Sequence, residues 1–274
     1  MMDLLRRWHL VALAALLLAC ATPPAATAQP PADDRTQLLD DLAAHRATLP
    51  LEELGRLLRG AMADPDPAFK ARALAVVAGR AGAARFSQDD RILDAWRTER
   101  PLLLSLEPAA RQALNDAAPE VRKQAILALG NLQFVLGERS SALPPALLRA
   151  FADRYAVEPD PSIRADLTYA IAVAPPSTDG REPFLIKALD DPAPDVQAAA
   201  LVGISESSPP AALPAIVARL GSTDPSVRLN AAVAIQGYGA AARTYAARLR
   251  QALAEETDPA IAGTLRAALE AAAP

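Results

Sequence analysis

One pattern of apolar and polar positions recurs six times along the chain, between residues 67 and 269. Each copy begins with Pro, followed by a variable residue, a large apolar anchor and a residue that is usually polar or basic. Apolar residues then return four, five and eight positions after the anchor, which is one stripe of a helix with a 3.6-residue period. The anchors are Phe69, Val121, Ile163, Val196, Val227 and Ile261. The aliphatic residues eight positions later are Val77, Leu129, Ile171, Ile204, Ile235 and Leu269. The pattern therefore predicts a repeat protein.

Each copy has the residues that start a helix. Pro suits the first helical position, where its missing N–H costs nothing. An Asp precedes four of these prolines and can cap the free amides; these residues are Asp66, Asp160, Asp224 and Asp258. The anchors lie 52, 42, 33, 31 and 34 residues apart, which leaves room for one further helix and two turns per repeat. We therefore predict an all-α fold, a right-handed α-solenoid of about six helical hairpins over residues 34–274.

The helices between the proline-initiated ones are predicted from their leucines and prolines. An opening helix carries Leu38 to Leu49, and residues 80–107 are expected to form an irregular insertion. Inside this insertion Trp96 marks an extra helix, and Pro101 precedes another helix around residues 109–115. The remaining first helices are predicted over residues 51–62, 144–154, 183–189, 209–220 and 243–255.

Composition supports closely packed helices. Apolar residues make up 51% of the chain, but aromatic residues only 4%. Such a core consists mainly of Ala and Leu, which favour helices and fit a β-sandwich poorly.

These repeated copies resemble the HEAT repeats, whose second helix opens with an acidic residue, Pro, Val and Arg. Its short spacing is similar to the HEAT-like repeats of phycobilisome lyases, and the resemblance covers roughly residues 50–274. An acidic residue also stands six positions before the polar one in four copies: Asp64 and Lys70, Asp116 and Arg122, Glu158 and Arg164, Asp191 and Gln197. We therefore expect an acid–base ladder between the middle repeats. Ser222 and Ala262 break the pattern, which leaves the C-terminal end open.

The N-terminus has the features of an export signal. Arg6 and Arg7 precede a ten-residue apolar run, too short to span a membrane, so residues 1–19 are predicted to be a signal peptide. The sequence ending in Cys20 resembles the lipobox of bacterial lipoproteins, which implies lipidation of Cys20 and anchoring at the outer membrane. Cleavage after Ala28 is the alternative and would give a soluble periplasmic protein. Residues 20–33 are rich in Pro and Ala and are predicted to be an extended tether.

Candidate catalytic chemistry is sparse. His45 is the only His outside the signal peptide, and Cys20 is the only Cys. These residues are too few for a Cys/His dyad, a zinc site or a Ser-His-Asp triad, so we expect no enzyme, no metal and no cofactor. The net charge is −4, and −5 after removal of residues 1–19, which argues against nucleic acid as a partner.

Two functions remain open. The favoured one is a non-catalytic, monomeric scaffold that binds a protein or peptide on its concave side, lined by the proline-initiated helices. The candidate contact residues are Arg72, Gln124, Arg164, Tyr169 and Asn230. The other interpretation of Arg164 is that it serves only the ladder between repeats. The alternative function is an exported enzyme or a lyase-like ligand-binding protein.

Overall fold

The computed structural model describes residues 34–133, 143–175 and 178–273. The chain divides into two units, residues 1–37 and residues 38–274. Only residues 34–37 of the first unit are described, and they begin the first helix. The second unit carries all the other elements.

The described residues are helical, and they contain no β-strand. The α-helices are α1 (Asp34–Ala43), α2 (Leu51–Met62), α3 (Pro67–Phe86), α4 (Asp90–Ser105), α5 (Glu107–Ala113), α6 (Pro119–Leu132), α7 (Pro145–Val157), α8 (Pro161–Ala172), α9 (Arg181–Ala188), α10 (Pro194–Ser207), α11 (Leu213–Arg219), α12 (Pro225–Tyr238), α13 (Ala246–Glu255) and α14 (Pro259–Ala271). Short 3-10 turns, Pro210–Ala212 and Gly239–Tyr245, lead into α11 and α13.

The helices of the second unit form a stack of hairpins. Each proline-initiated helix packs against the helix before it, which gives the hairpins α2/α3, α5/α6, α7/α8, α9/α10, α11/α12 and α13/α14. Each also packs against the proline-initiated helix of the next hairpin, from α3 through α6, α8, α10 and α12 to α14. The unit is therefore an α-solenoid, as the repeated pattern predicts.

The helix starts follow the predicted chemistry. Asp160 caps α8 by accepting a hydrogen bond from the N–H of Ser162 at 2.8 Å. Asp224 and Asp258 each accept two backbone N–H bonds at the starts of α12 and α14. Each cap satisfies amides that have no partner inside the helix.

The core lies between the two helices of each hairpin and between neighbouring hairpins. The six anchors are between 0 and 7% exposed, and Val77, Leu129, Ile171, Ile204 and Ile235 are fully buried. Close approach of the helices depends on small residues. A Cβ added to Gly203 of α10 would lie 2.8 Å from the Cα of Ala172 in α8. The scarcity of aromatic side chains thus corresponds to short distances between helices.

The insertion at residues 80–107 contains the extra helix predicted around Trp96, which is α4 (Asp90–Ser105), and the helix predicted around residues 109–115 is α5 (Glu107–Ala113). Two details of the N-terminal part are corrected. Pro101 lies inside α4 and not between helices. Trp96 and Leu103 on this helix are buried, so burial of its apolar face outweighs the hydrogen bond that Pro removes. The opening helix ends at Ala43, before Leu49.

Candidate interaction surface

The proline-initiated helices form the inner layer of the stack. Neighbouring helices of this layer pack directly on one another, whereas α7, α9, α11 and α13 pack mainly on the second helix of their own hairpin. We call the accessible side of the layer formed by α3, α6, α8, α10, α12 and α14 the inner face.

Two rows of side chains run along the inner face. The polar row lies three residues after each anchor, and its members are Arg72, Gln124, Asp166, Ala199, Asn230 and Thr264. The apolar row lies six residues after each anchor, and its members are Ala75, Leu127, Tyr169, Val202, Val233 and Ala267. Every member of the apolar row is partly exposed. Positions three and six after an anchor share one side of a helix, so the two rows are neighbours.

Three of the predicted contact residues lie in the polar row. Arg72 forms an ion pair with Asp40 at 3.2 Å and donates to the carbonyl of Ala68. Gln124 donates from Nε2 to the carboxylate of Glu120 at 3.0 Å. Asn230 donates from Nδ2 to the carbonyl of Ser226 at 3.0 Å. All three side chains are partly exposed, and Arg72 and Gln124 line a cleft between α3 and α6. Tyr169, the fourth, lies in the apolar row.

Arg164, the fifth predicted contact residue, is used between repeats. Its Nε and Nη2 donate to the two carboxylate oxygens of Asp191 in the next hairpin, at 2.8 and 3.0 Å. Its Nη1 donates to the carbonyls of Glu158 and Pro159, both at 3.1 Å. The hydrogen bonds with Asp191 raise the pKa of Arg164 above its ordinary value. The guanidinium of Arg164 is thus hydrogen-bonded within the turns between helices, and Arg164 does not belong to the inner face.

The same arrangement repeats along the stack as a ladder. A basic residue of four hairpins pairs with an acidic residue in the turn of the next hairpin, in the rungs Lys70–Asp116, Arg122–Glu158, Arg164–Asp191 and Arg228–Glu256. The acidic residue also accepts the backbone N–H two positions later, as Glu158 does from Asp160 at 3.1 Å. Burial would raise the pKa of Glu158, but hydrogen bonds from Arg122 and the Asp160 N–H, with the charge of Arg154, hold this pKa below its ordinary value.

The sequence left the C-terminal end of the ladder open, and the structure shows a rung there. Arg228 and Glu256 form a rung, with Nε of Arg228 donating to Glu256 at 2.7 Å. Ser222 and Ala262 do not interrupt this rung, because a basic residue pairs with the acid of the following repeat and not with that of its own. The ladder is interrupted one rung earlier, between the hairpins α9/α10 and α11/α12. There Gln197 stands in place of the basic residue and donates to the carbonyl of Asp191 at 2.7 Å. Ser222 stands in the next hairpin where the other repeats have an acidic residue.

Asp166 is the inner-face residue that the sequence reasoning missed. It occupies the polar-row position in α8, between Gln124 and Asn230, so aligning the six copies would have found it. Its Oδ2 atom is buried and has no hydrogen-bond partner among the described residues. Burial raises the pKa of Asp166, the charges of Asp160 and Glu120 raise it further, and Lys123 opposes them.

In the described ranges, no group of three or more His, Cys, Asp and Glu side chains is arranged to hold a metal ion. None of the described helices is long and apolar enough to cross a membrane. The predicted signal peptide, Cys20 and the tether lie outside the described residues.

Comparison with protein families supports the repeat assignment. Residues 182–270, which cover α9 to α14 almost completely, match the family model of HEAT repeats. No match to a curated protein was found.

Solved structures share the fold over most of the chain. A HEAT-like repeat protein from the archaeon Thermococcus onnurineus NA1 has a TM-score of 0.55 at 13% identity, over 89% of this chain and 98% of that one. An engineered protein has a TM-score of 0.53 at 19% identity, over 80% and 96% of the two chains. A designed armadillo repeat protein, solved in complex with the peptide (KR)4, has a TM-score of 0.50 at 18% identity, over 81% and 100%. At these identities the likeness concerns the fold alone.

Proposed function

We propose that this HEAT-type solenoid is a non-catalytic scaffold that binds an extended segment of a protein or peptide along its inner face. The observation that carries the proposal is the apolar row. Leu127, Tyr169, Val202 and Val233 are partly exposed at the same position of four successive hairpins. A continuous line of apolar side chains beside a polar row is typical of surfaces that bind other proteins.

The dimensions of the inner face suit an extended chain. Packed helices lie about 8–10 Å apart, and an extended peptide advances about 3.3 Å per residue. A peptide that follows the apolar row would therefore present roughly every third side chain to each successive helix. From α6 to α12 the row would hold about nine residues. The designed armadillo repeat protein with its bound peptide supports the view that a stack of this fold can hold such a ligand.

The polar row would give the surface its specificity. Its members differ from helix to helix, from Arg72 through Gln124 and Asp166 to Asn230. These four residues can each present donors or acceptors to the backbone or side chains of a bound segment, whereas Ala199 of the same row cannot. Buried polar groups of a partner need such bonds, so a segment with mismatched groups would bind less tightly.

Photo-crosslinking tests this function directly. A photoreactive amino acid at Val202 on the inner face should capture a partner in cells, and the captured protein can be identified by mass spectrometry. The matched control is Val157 at the end of α7, which is 67% exposed and belongs to the outer layer. Equal capture from both positions, or capture from Val157 alone, would contradict an inner binding face.

We further propose that the chain is exported and anchored by lipid at Cys20, on the periplasmic side of the outer membrane. Acylation contributes about 0.8 kcal/mol per buried methylene, and two or more chains give stable anchoring. An extended tether of some dozen residues, at about 3.1 Å each, would hold the solenoid roughly 40 Å from the bilayer. This arrangement would leave the inner face accessible to a periplasmic partner.

Labelling with radioactive palmitate tests the anchor. The wild-type protein should take up label and sediment with membranes, whereas Cys20→Ser should take up none. An unlabelled wild-type protein whose mature N-terminus is Gln29 would show instead that the chain is cleaved after Ala28 and is soluble in the periplasm.

A further inference from the structure

One joint of the stack, the contact between two successive hairpins, has no rung of the ladder. It lies between α9/α10 and α11/α12, where the ladder positions hold Gln197 and Ser222. Among the described residues, both side chains bond only within their own hairpin. Gln197 donates to the carbonyl of Asp191, and Ser222 accepts the N–H of Asp224 at 3.2 Å. The other joints each have a rung.

Gln197 and Ser222 keep the part of the arrangement that lies within one hairpin. Arg164 in its rung, like Gln197, donates to the backbone carbonyl six positions before it. The acidic residue of a rung, like Ser222, accepts the backbone N–H two positions later, as Glu256 does from Asp258 at 3.0 Å. This joint therefore has the local geometry of a rung and lacks only the two charges that would connect the hairpins.

The preceding joint, between α7/α8 and α9/α10, is held by two charged side chains. Arg164 pairs with both carboxylate oxygens of Asp191. Arg181 at the start of α9 is fully buried, and its Nη2 donates to the carbonyls of Ala172 in α8 and Gly203 in α10. Directional bonds of this kind restrict the angle between two hairpins.

The contact between α10 and α12 depends on apolar packing. The two helices pack directly on one another, and the buried residues of α10 are all apolar or Gly. An ion pair, Arg219 with Asp190, crosses the joint in the outer layer, but the side chain of Asp190 is 81% exposed, so the pair contributes little. Tyr238 donates to the carbonyl of Pro209, which holds the connecting segment to α12 and not to α10. Apolar contact has no preferred direction, so α12 can turn on α10 by a small angle without losing a hydrogen bond.

We infer that the stack bends at this joint, so that the last two hairpins move as one body relative to the four before them. Each repeat interacts mainly with its neighbours, so a weak joint also divides the stack into two cooperative units. The apolar row crosses the joint between Val202 on α10 and Val233 on α12. Bending would therefore change the distance between these two side chains of the inner face, whichever partner binds there.

Distances between pairs of spin labels, measured by double electron–electron resonance, test the bending. The protein is the mature chain with Cys20→Ser, and labels are attached through Lys187→Cys on α9 and Arg250→Cys on α13. The control pair is Gln112→Cys on α5 with Lys187→Cys. All three positions are exposed, and both pairs are two hairpins apart, but only the first pair spans the joint without a rung. We expect its distance distribution to be wider than that of the control pair.

The double variant Gln197→Arg with Ser222→Asp supplies the missing rung. The distance distribution across the joint should then narrow to the width of the control pair. Native-state amide exchange in α11 to α14 should slow about fivefold, because opening of these helices would also break a charge-assisted pair. Either substitution alone should leave both measurements as in the wild type, since a rung needs both charges. A melting temperature of the double variant at or above that of the wild type checks that the fold is kept.

Two outcomes would overturn the inference. Equal widths for the two label pairs in the wild type would show that the stack does not bend at this joint, and this measurement needs no change at the ladder positions. A double variant that behaves like Gln197→Arg alone would show that the missing rung is not the cause of the bending.

Discussion

The last rung of the ladder predicts a dependence of stability on pH that can be traced to one side chain. The hydrogen bonds from Arg228 lower the pKa of Glu256 from 4.5 to about 2, although burial opposes the shift. The folded state therefore binds this proton less readily than the unfolded state. The rung contributes its full stabilisation above pH 4.5, and this contribution is lost as the pH falls toward 2.

Glu256→Gln removes the charge and keeps the shape of the side chain. The full shift in pKa would correspond to about 3 kcal/mol, at about 1.36 kcal/mol per unit. The side chain of Arg228 is 21% exposed, so solvent screens part of this attraction. We therefore expect the variant to lose about 1–2 kcal/mol of unfolding free energy at pH 7. At pH 2.5 the difference between variant and wild type should be much smaller, because Glu256 is then almost fully protonated in the unfolded state, and ionising it in the folded state offsets most of the gain from the rung.

Urea unfolding at pH 7, 4 and 2.5 measures the effect, and hydrogen–deuterium exchange localises it. Exchange should accelerate in α13 and α14, because Glu256 connects these helices to α12. The control is Glu255→Gln, which alters the preceding residue. The side chain of Glu255 is 61% exposed and lies 3.7 Å from Arg248. The reasoning fails if both variants lose the same free energy, or if the loss in Glu256→Gln is as large at pH 2.5 as at pH 7.

Four further variants test the packing. Ile204→Asp should lose at least about 3 kcal/mol, since it buries an unpaired charge, and a soluble variant of unchanged melting temperature would contradict the assigned stripe. Gly203→Ala should lose about 1–3 kcal/mol in urea unfolding, because its Cβ would lie too close to Ala172. Val227→Ala should cost about 2 kcal/mol and Pro225→Gly about 1 kcal/mol; the reverse order would require the inner and outer sides of α12 to be exchanged.

The fold was predictable because the physical reasons for it are local. Proline at the first helical position, an Asp cap and an apolar stripe all lie within one helix, and each can be recognised without knowing the rest of the structure. The insertion was less predictable. Whether Pro101 ends a helix depends on the burial of Trp96 and Leu103, and this is decided by packing between helices.

The ladder could be predicted only in part, because its partners come from different repeats. The spacing of Asp116 and Arg122 within one copy suggested that acids and bases alternate along the stack. It did not show that Arg122 reaches forward to Glu158, 36 residues later. This forward pairing is why Arg228 and Glu256 form a rung even though their own copies lack one member of the pair. Four of the five candidate contact residues lie in the two rows of the inner face, and Arg164 lies in the ladder.

The differences among the six copies separate the residues that build the stack from those that are left for other uses. The anchors are all large and apolar, and they are buried. The rungs of the ladder repeat one acid–base arrangement four times. In contrast, the polar row carries six different residue types at six equivalent positions.

Packing and the ladder explain the uniform positions, because every repeat must bury the same stripe and join its neighbour in the same way. The same forces do not require Arg72 in one repeat, Asp166 in another and Asn230 in a third. Packing also does not explain why one carboxylate oxygen of Asp166, Oδ2, is buried without a hydrogen-bond partner among the described residues. A sequence that varies its residues along one row of the inner face while keeping its core constant is suited to bind a ligand whose own side chains change along its length. That relation between a constant core and a variable inner row is what directs the crosslinking experiment to Val202.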